Sequence, residues 1–226
     1  MARRTVTQLL SSAATVLLLA ATTESLAAPI TVPTGLSPGD DYRLVFVTSI
    51  TLNAVSANIA DYNAFVSGVA NAVPELFALG ATWTAIGSTA AVDARDNTNT
   101  NPNTAVGVPL YLVNDTLLAI DNSDLWDGSI AVPLNIFEDG TTGFITGVWT
   151  GTQSDGVALR ALGTASPTNG SPNLIDSRWI QNLLGNEVTP SHFFAISSTL
   201  TAVPEPGTAA LLTLGLVGLA AVRRKV

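Results

Sequence analysis

An uncharged apolar run that ends in a basic cluster constrains this chain more than any other feature, because burying it requires either lipid or a large core. From Gly207 to Val222 there are 16 residues without a charge, preceded by Pro204-Glu205-Pro206 and followed by Arg223-Arg224-Lys225. At ~1.5 Å per residue, a helix of that length covers ~24 Å against a hydrocarbon core of ~30 Å, so the span is marginal. Gly215 and Gly218 weaken the helix further, by up to ~1 kcal/mol each relative to Ala. They lie three apart rather than four, which does not match the close-packing helix-dimer pattern. The prolines neither extend a helix nor donate to a sheet ladder, so Pro204-Glu205-Pro206 is expected to be extended, solvated and reachable by another protein. The basic cluster is expected to stay on the cytoplasmic side of a membrane. This layout reads as a temporary tether carrying a sorting address. The plainer alternative is an ordinary C-terminal anchor behind a proline-bearing linker.

The opposite end agrees. Arg3 and Arg4 give a positive start, Ala13 to Ala21 an apolar core, and Ser25-Leu26-Ala27 small residues at the specificity positions of a signal peptidase. Residues 1–27 are therefore expected to be a secretory signal peptide. Cutting after Ala27 is favoured over cutting after Ala28, which would leave Pro29 next to the scissile bond. The arginine pair hints at the folded-export route, but Thr5-Val6-Thr7 do not complete that pattern.

Setting the two ends aside leaves a body with Arg43, Arg95, Arg160 and Arg178 against 15 acidic residues, a net charge of −11. Such a body repels nucleic acid and anionic membrane surfaces, so no nucleic-acid partner is expected. It contains no lysine and no cysteine, which excludes disulfides, thiolate chemistry and Cys-ligated metal. Residues 30–201 are ample for one domain with its own core. No internal repeat is visible.

Along the body, residues 28–41 read as a lead-in loop punctuated by Pro33, Gly35, Pro38 and Gly39, and Tyr42 to Thr48 as a strand. Ser56 to Leu79 is helical, with Ile59, Tyr62, Phe65, Val66, Val69 and Val73 along one face; Pro74 ends the helix or begins a second short turn. Ala81 to Ile86 is a strand, and the polar stretch Asp93 to Asn103 an exposed loop. Val108 to Val113 and Thr116 to Ile120 form a hairpin turning at Asn114-Asp115. Asp121 to Gly128 contains one helical turn, Gly147 to Thr152 is a strand, Ala165 to Asn173 a loop and Ser177 to Leu184 a short helix. Phe193 to Leu200 closes the body as a strand expected to pair with Tyr42 to Thr48.

Two resemblances follow from these residues. Pro204-Glu205-Pro206, the Leu/Gly-rich run and Arg223-Arg224-Lys225 together resemble the PEP-CTERM sorting signal of exported bacterial proteins. That resemblance implies a membrane-embedded exosortase that cuts near the triplet while the helix holds the precursor transiently in the inner membrane. The body resembles bacterial secreted domains related to the C-type-lectin-like fold. The blocks that carry this are Val45 to Ser49, Trp83, Asp93 to Asp96, Asp124 to Gly128 and Val148 to Thr152 followed by Asp155-Gly156. The expected architecture is a single mixed α+β domain over residues 42–201. It is flanked by the signal peptide and a sorting signal over 202–226, with its transmembrane part at 207–222 and basic tail at 223–226.

Ligand sites are harder to place. The calcium signatures of lectins of that fold, Glu-Pro-Asn or Gln-Pro-Asp with Trp-Asn-Asp, do not occur in the body. Asp121, Asp124 and Asp127, or Glu138 with Asp139, offer oxygen ligands for calcium. The plainer reading gives them turn and helix-cap roles, so no cofactor is expected. His192, the single histidine, reads as structural. Thr152-Gln153-Ser154-Asp155-Gly156 resembles a nucleophile elbow but has threonine in place of the first glycine. Trp83, Trp126, Trp149 and Trp179 are expected mainly in the core. The leading reading is a non-catalytic protein of the cell surface or an exopolysaccharide matrix. A carbohydrate-binding module and a secreted polysaccharide hydrolase are the alternatives.

Overall fold

Tyr42, Val45, Phe46 and Val47 are aromatic or β-branched, and this is the strand from which the domain is built. β1, Asp41–Val47, is buried at six of its seven positions. A strand buried at successive positions is covered on both faces of its sheet. The computed structural model describes residues 29–203. The expected signal peptide with its Ala27/Ala28 cut site lies outside the described residues, as do Pro204-Glu205-Pro206, the apolar run and Arg223-Arg224-Lys225. Among the described residues, no helix is long and apolar enough to cross a membrane.

The described chain forms a single mixed, sheet-rich domain with few helices. After β1 come the helices α1 (Ile59–Asn71) and α2 (Pro74–Ala78), then β2 (Trp83–Ala85) and α3 (Ala94–Asn97). The hairpin strands β3 (Leu110–Leu112) and β4 (Leu117–Ala119) lead into α4 (Asn122–Leu125). Three short strands follow, β5 (Val148–Trp149), β6 (Thr168–Gly170) and β7 (Leu183–Leu184), then the longer β8 (His192–Ser197), and β9 (Leu200–Thr201) ends the domain. The main sheet runs β4-β3-β1-β8-β5-β6-β7, with β2 on β8 and β9 on β1. The expected pairing of the first and last long strands is present and antiparallel, matching Val45 to Ile196, Phe46 to Ala195 and Val47 to Phe194. The β1–β3 pair is parallel, which requires the long crossover through α1, α2, β2 and α3.

Alternation along β8 distributes its two phenylalanines to opposite faces. Phe193 meets Tyr62 and Phe65 of α1, at ring-centroid distances of 5.1 and 5.7 Å. Phe194 meets Trp179 at 5.7 Å, and Trp179 in turn meets Trp126 at 6.1 Å. α1 exists because Tyr62, Val66, Val69 and Ala70 recur at helical spacing and are buried, while Asn58 caps it by accepting from the Ala60 N–H. Pro74 begins α2 at its first turn, where its missing N–H costs nothing. Asn63 and Asn97 exchange amide hydrogen bonds of 2.8 and 3.0 Å, and Asn97 also donates to Ala85 O, tying α1, α3 and β2 together.

Three sequence expectations are corrected. Asp93 to Asn103 is not simply an exposed loop: it contains α3, and Thr98 and Thr100 are buried, because Thr100 accepts the indole N–H of Trp126 at 2.9 Å. Ala165 to Asn173 contains β6. Ser177 to Leu184 is a 3-10 turn, Ser177–Trp179, followed by β7, not a helix. Asn169 Oδ1 accepts the Leu183 N–H at 3.1 Å, which draws this segment into extended pairing with β6. β6 and β7 are short, and cross-strand bonding rather than composition sets them.

Phe46 is fully buried and Phe144 is 91% exposed. In denaturant unfolding of the body, Phe46→Ala is expected to cost about 3–5 kcal/mol. Phe144→Ala is expected to stay within about 0.5 kcal/mol.

Candidate functional site

The junction between the domain and Pro204 is held chiefly by backbone pairing. β9 lies beside the start of β1, with Asp41 opposite Thr201 and Tyr42 opposite Leu200. The next residue, Ala202, is buried, and both of its main-chain groups are used. Its N–H donates to Asp40 O at 2.8 Å, and its carbonyl accepts from the Gly39 N–H at 2.8 Å. Gly39 supplies that N–H from a backbone at φ +98°, a conformation that other residues rarely adopt. Thr201 Oγ1 donates to Asp41 Oδ1 at 2.7 Å. Val203 is 64% exposed, so the fold ends one residue before the triplet.

The lead-in packs against the same corner. Ile30 N–H donates to Val113 O at 2.6 Å, and the Tyr42 hydroxyl donates to Thr31 O at 2.5 Å. Thr34 donates through N and Oγ1 to the two carboxylate oxygens of Asp115, at 2.7 and 2.6 Å. Asp115 sits at φ +76° in the β3–β4 turn, the conformation the sequence assigned to Asn114-Asp115. Val32, Pro33, Leu36, Pro38, Ala202 and Val203 line a shallow cavity of about 300 Å³ there.

Burial perturbs three groups near β1. It pushes the Tyr42 phenol above its ordinary value and Tyr62 up to about 12, so both stay neutral donors, Tyr62 to Ser56 O at 2.7 Å. Burial also lowers Arg43, whose Nη1 donates to Thr98 O at 2.5 Å. On the surface, the Arg178 guanidinium holds the Asp176 carboxyl below the usual carboxylate range across a 2.6 Å contact.

The structure gives each carboxylate considered as a calcium ligand a local role. Asp121 Oδ1 caps α4 by accepting from Asp124 N, and Asp124 Oδ2 accepts from Ile120 N at 2.7 Å. Asp127 Oδ1 accepts from Ser129 N and Oγ. Asp139 Oδ1 accepts from Thr141 N and Oγ1, and buried Glu138 accepts from Ser49 N and Oγ. Among the described residues, no group of three or more His, Asp or Glu side chains stands close enough to hold a metal ion. His192 Nδ1 is bonded to Thr48 O at 2.6 Å, and the Ser154 N–H is held by Gln181 Oε1 at 3.1 Å. Thr152 is buried, and its Oγ1 donates to Thr150 O. All four tryptophans are buried, as the sequence led us to expect for most of them. What sequence reasoning missed is the clamp on Ala202, for which Gly39 two residues before β1 was the available signal. Millimolar calcium is expected to leave the melting temperature of the body unchanged, as checked by calorimetry; a rise of several degrees would show that these carboxylates converge on an ion.

No curated protein matches the chain. A model of the PEP-CTERM protein-sorting motif matches residues 202–225, so the matched segment begins at clamped Ala202 and takes in the triplet, the apolar run and the basic cluster. This match supports an exported protein sorted by an exosortase, with processing during membrane transit.

Proposed function

We propose that the chain is a non-catalytic extracellular protein whose folded body is the delivered product and whose last two dozen residues are its address. The signal peptide 1–27 directs export, and the run 207–222 holds the precursor in the inner membrane. The exosortase acts at Pro204-Glu205-Pro206, and the body reaches the cell surface or an exopolysaccharide matrix. One observation carries this reading: the sorting-motif match starts at residue 202, where the domain stops. The fold uses Ala202 and leaves Val203 exposed, so the address is appended to a finished domain.

We read the body as a C-type-lectin-like domain. Support comes from its sequence blocks, from the antiparallel closure of its first and last strands, and from the long irregular stretch between β4 and β8. A non-catalytic role is supported by the structural tasks that occupy His192, Thr152 and the acidic clusters.

Intact-mass analysis of the protein recovered from its host is expected to show a chain that starts at Ala28 and lacks Arg223 to Val226. Replacing Pro204, Glu205 and Pro206 together by alanine should leave Arg223 to Val226 attached and the protein in the inner-membrane fraction. Retention of that tail in the unaltered mature protein would contradict the proposal.

A further inference from the structure

Phe144 is the most exposed large apolar side chain among the described residues, and its exposure has a local cause. It follows a tight hairpin in which Ile136 and Thr142 pair antiparallel, the Phe137 N–H donates to Thr141 O at 2.8 Å and the Gly140 N–H donates to Phe137 O at 2.9 Å. Gly143 lies against the Phe137 ring, where a Cβ would come within 1.9 Å of it, and Ile145 is buried. With both neighbours turned inward, Phe144 is held in water. A single exposed apolar residue is ordinary. Phe144 differs because the same hairpin borders a cavity that suits it.

That cavity, of about 400 Å³, is lined by Phe65, Gly68 and Val69 of α1, by Ile50 beyond β1 and by Glu138 of the hairpin. It is open on the helix side because Gly68 has no side chain, and a Cβ built there meets nothing within 4 Å. Its one carboxylate, Glu138, accepts from Ser49 N and Oγ and is occupied by them. Charge decides which surfaces of two copies can meet. Each body carries −11, so copies repel wherever charge is dense. Gly140 to Ser154 contains no charged residue, and α1 contains one, Asp61 in its first turn. Knob and cavity therefore both lie on sparsely charged stretches.

We propose that the body pairs with a second copy of itself through a two-fold contact, in which Phe144 of each copy enters the α1 cavity of the other. Knob and cavity both border one hairpin, so a two-fold axis lets the same surface serve both copies and the contact closes at two. Each inserted ring removes about 150–250 Å² from water and covers a similar area of wall, so the reciprocal contact buries about 600–1,000 Å² in all. Specific interfaces begin near ~1,000 Å², which makes this a weak dimer that forms as the protein is concentrated. The contact is apolar and the copies are alike in charge, so salt strengthens it by screening their repulsion. The inference concerns the body alone and is independent of how the chain is exported.

Sedimentation velocity of the body, residues 29–203, over roughly 5 to 500 µM tests the pairing. The native body is expected to pass from monomer to dimer and to stop there. Phe144→Ala removes the knob at a position the fold does not use, and Gly68→Leu fills the cavity from open space while removing a glycine that weakens its helix. Each substitution should weaken the dimer at least about tenfold. A melting temperature near the native one in dilute solution separates lost association from lost fold, and Phe144→Ala alone decides if Gly68→Leu does not fold. Raising NaCl from about 0.02 to 0.5 M should tighten the native dimer. A native body that stays monomeric throughout would overturn the proposal. So would a dimer that survives either substitution, grows past two copies or weakens with salt.

Discussion

The closure of the chain on its own beginning, β9 and β8 zipped antiparallel to β1, is the constraint on which the rest of the structure depends. β1 is buried on both faces, so it needs partners along its whole length. β3 supplies one side and the last strands of the domain supply the other. This is a non-local solution: the chain must be synthesised to Ala202 before its first strand is complete. It also brings the lead-in against the domain's last residue, where Val32, Pro33, Leu36 and Pro38 share a cavity with Ala202.

An exported domain without cysteine has to brace its irregular stretches by other means. Buried hydroxyls take that role here. Thr48 Oγ1 donates to Ile50 O and accepts from Phe193 N, and Ser197 Oγ accepts from Leu44 N across the sheet. Thr150 Oγ1 donates to Ile180 O, while Ser88 links Thr152 to the start of α3 through Ala94 N. Each such bond contributes about 1 kcal/mol net, and losing one partner leaves a buried polar group unsatisfied. Gly170 belongs to the same bracing, because a Cβ there would lie 2.1 Å from Trp179 O. The Thr- and Asn-rich composition of the body thus works inside the fold as well as at its surface.

The parts of this architecture that were legible in the sequence are those where side-chain pattern decides structure. The apolar runs Leu44 to Val47 and Phe193 to Ile196 marked β1 and β8, spacing of three and four marked α1, and Asn114-Asp115 marked the β3–β4 turn. β6 and β7 were not legible because Thr168-Asn169-Gly170 is short and two of its three residues disfavour strands, and Leu183-Leu184 is exposed. Their pairing comes from neighbours distant in sequence. The polarity of Asp93 to Asn103 misled for a related reason: Thr98 and Thr100 look like loop residues until Trp126 and Arg43 arrive as partners. The address was legible as a linear pattern. The clamp on Ala202 was not, because it is made by main-chain groups that composition does not reveal.

Amide hydrogen exchange at the domain's two ends, measured on the body, tests the central claim most directly. If the body closes on itself there, the Gly39 and Ala202 amides exchange at least about tenfold more slowly than in an unstructured peptide, while neighbouring Val203 exchanges freely. Free-peptide exchange at Gly39 and Ala202 alike would contradict the account, because β9 would then not complete the sheet and the fold would not end where the address begins.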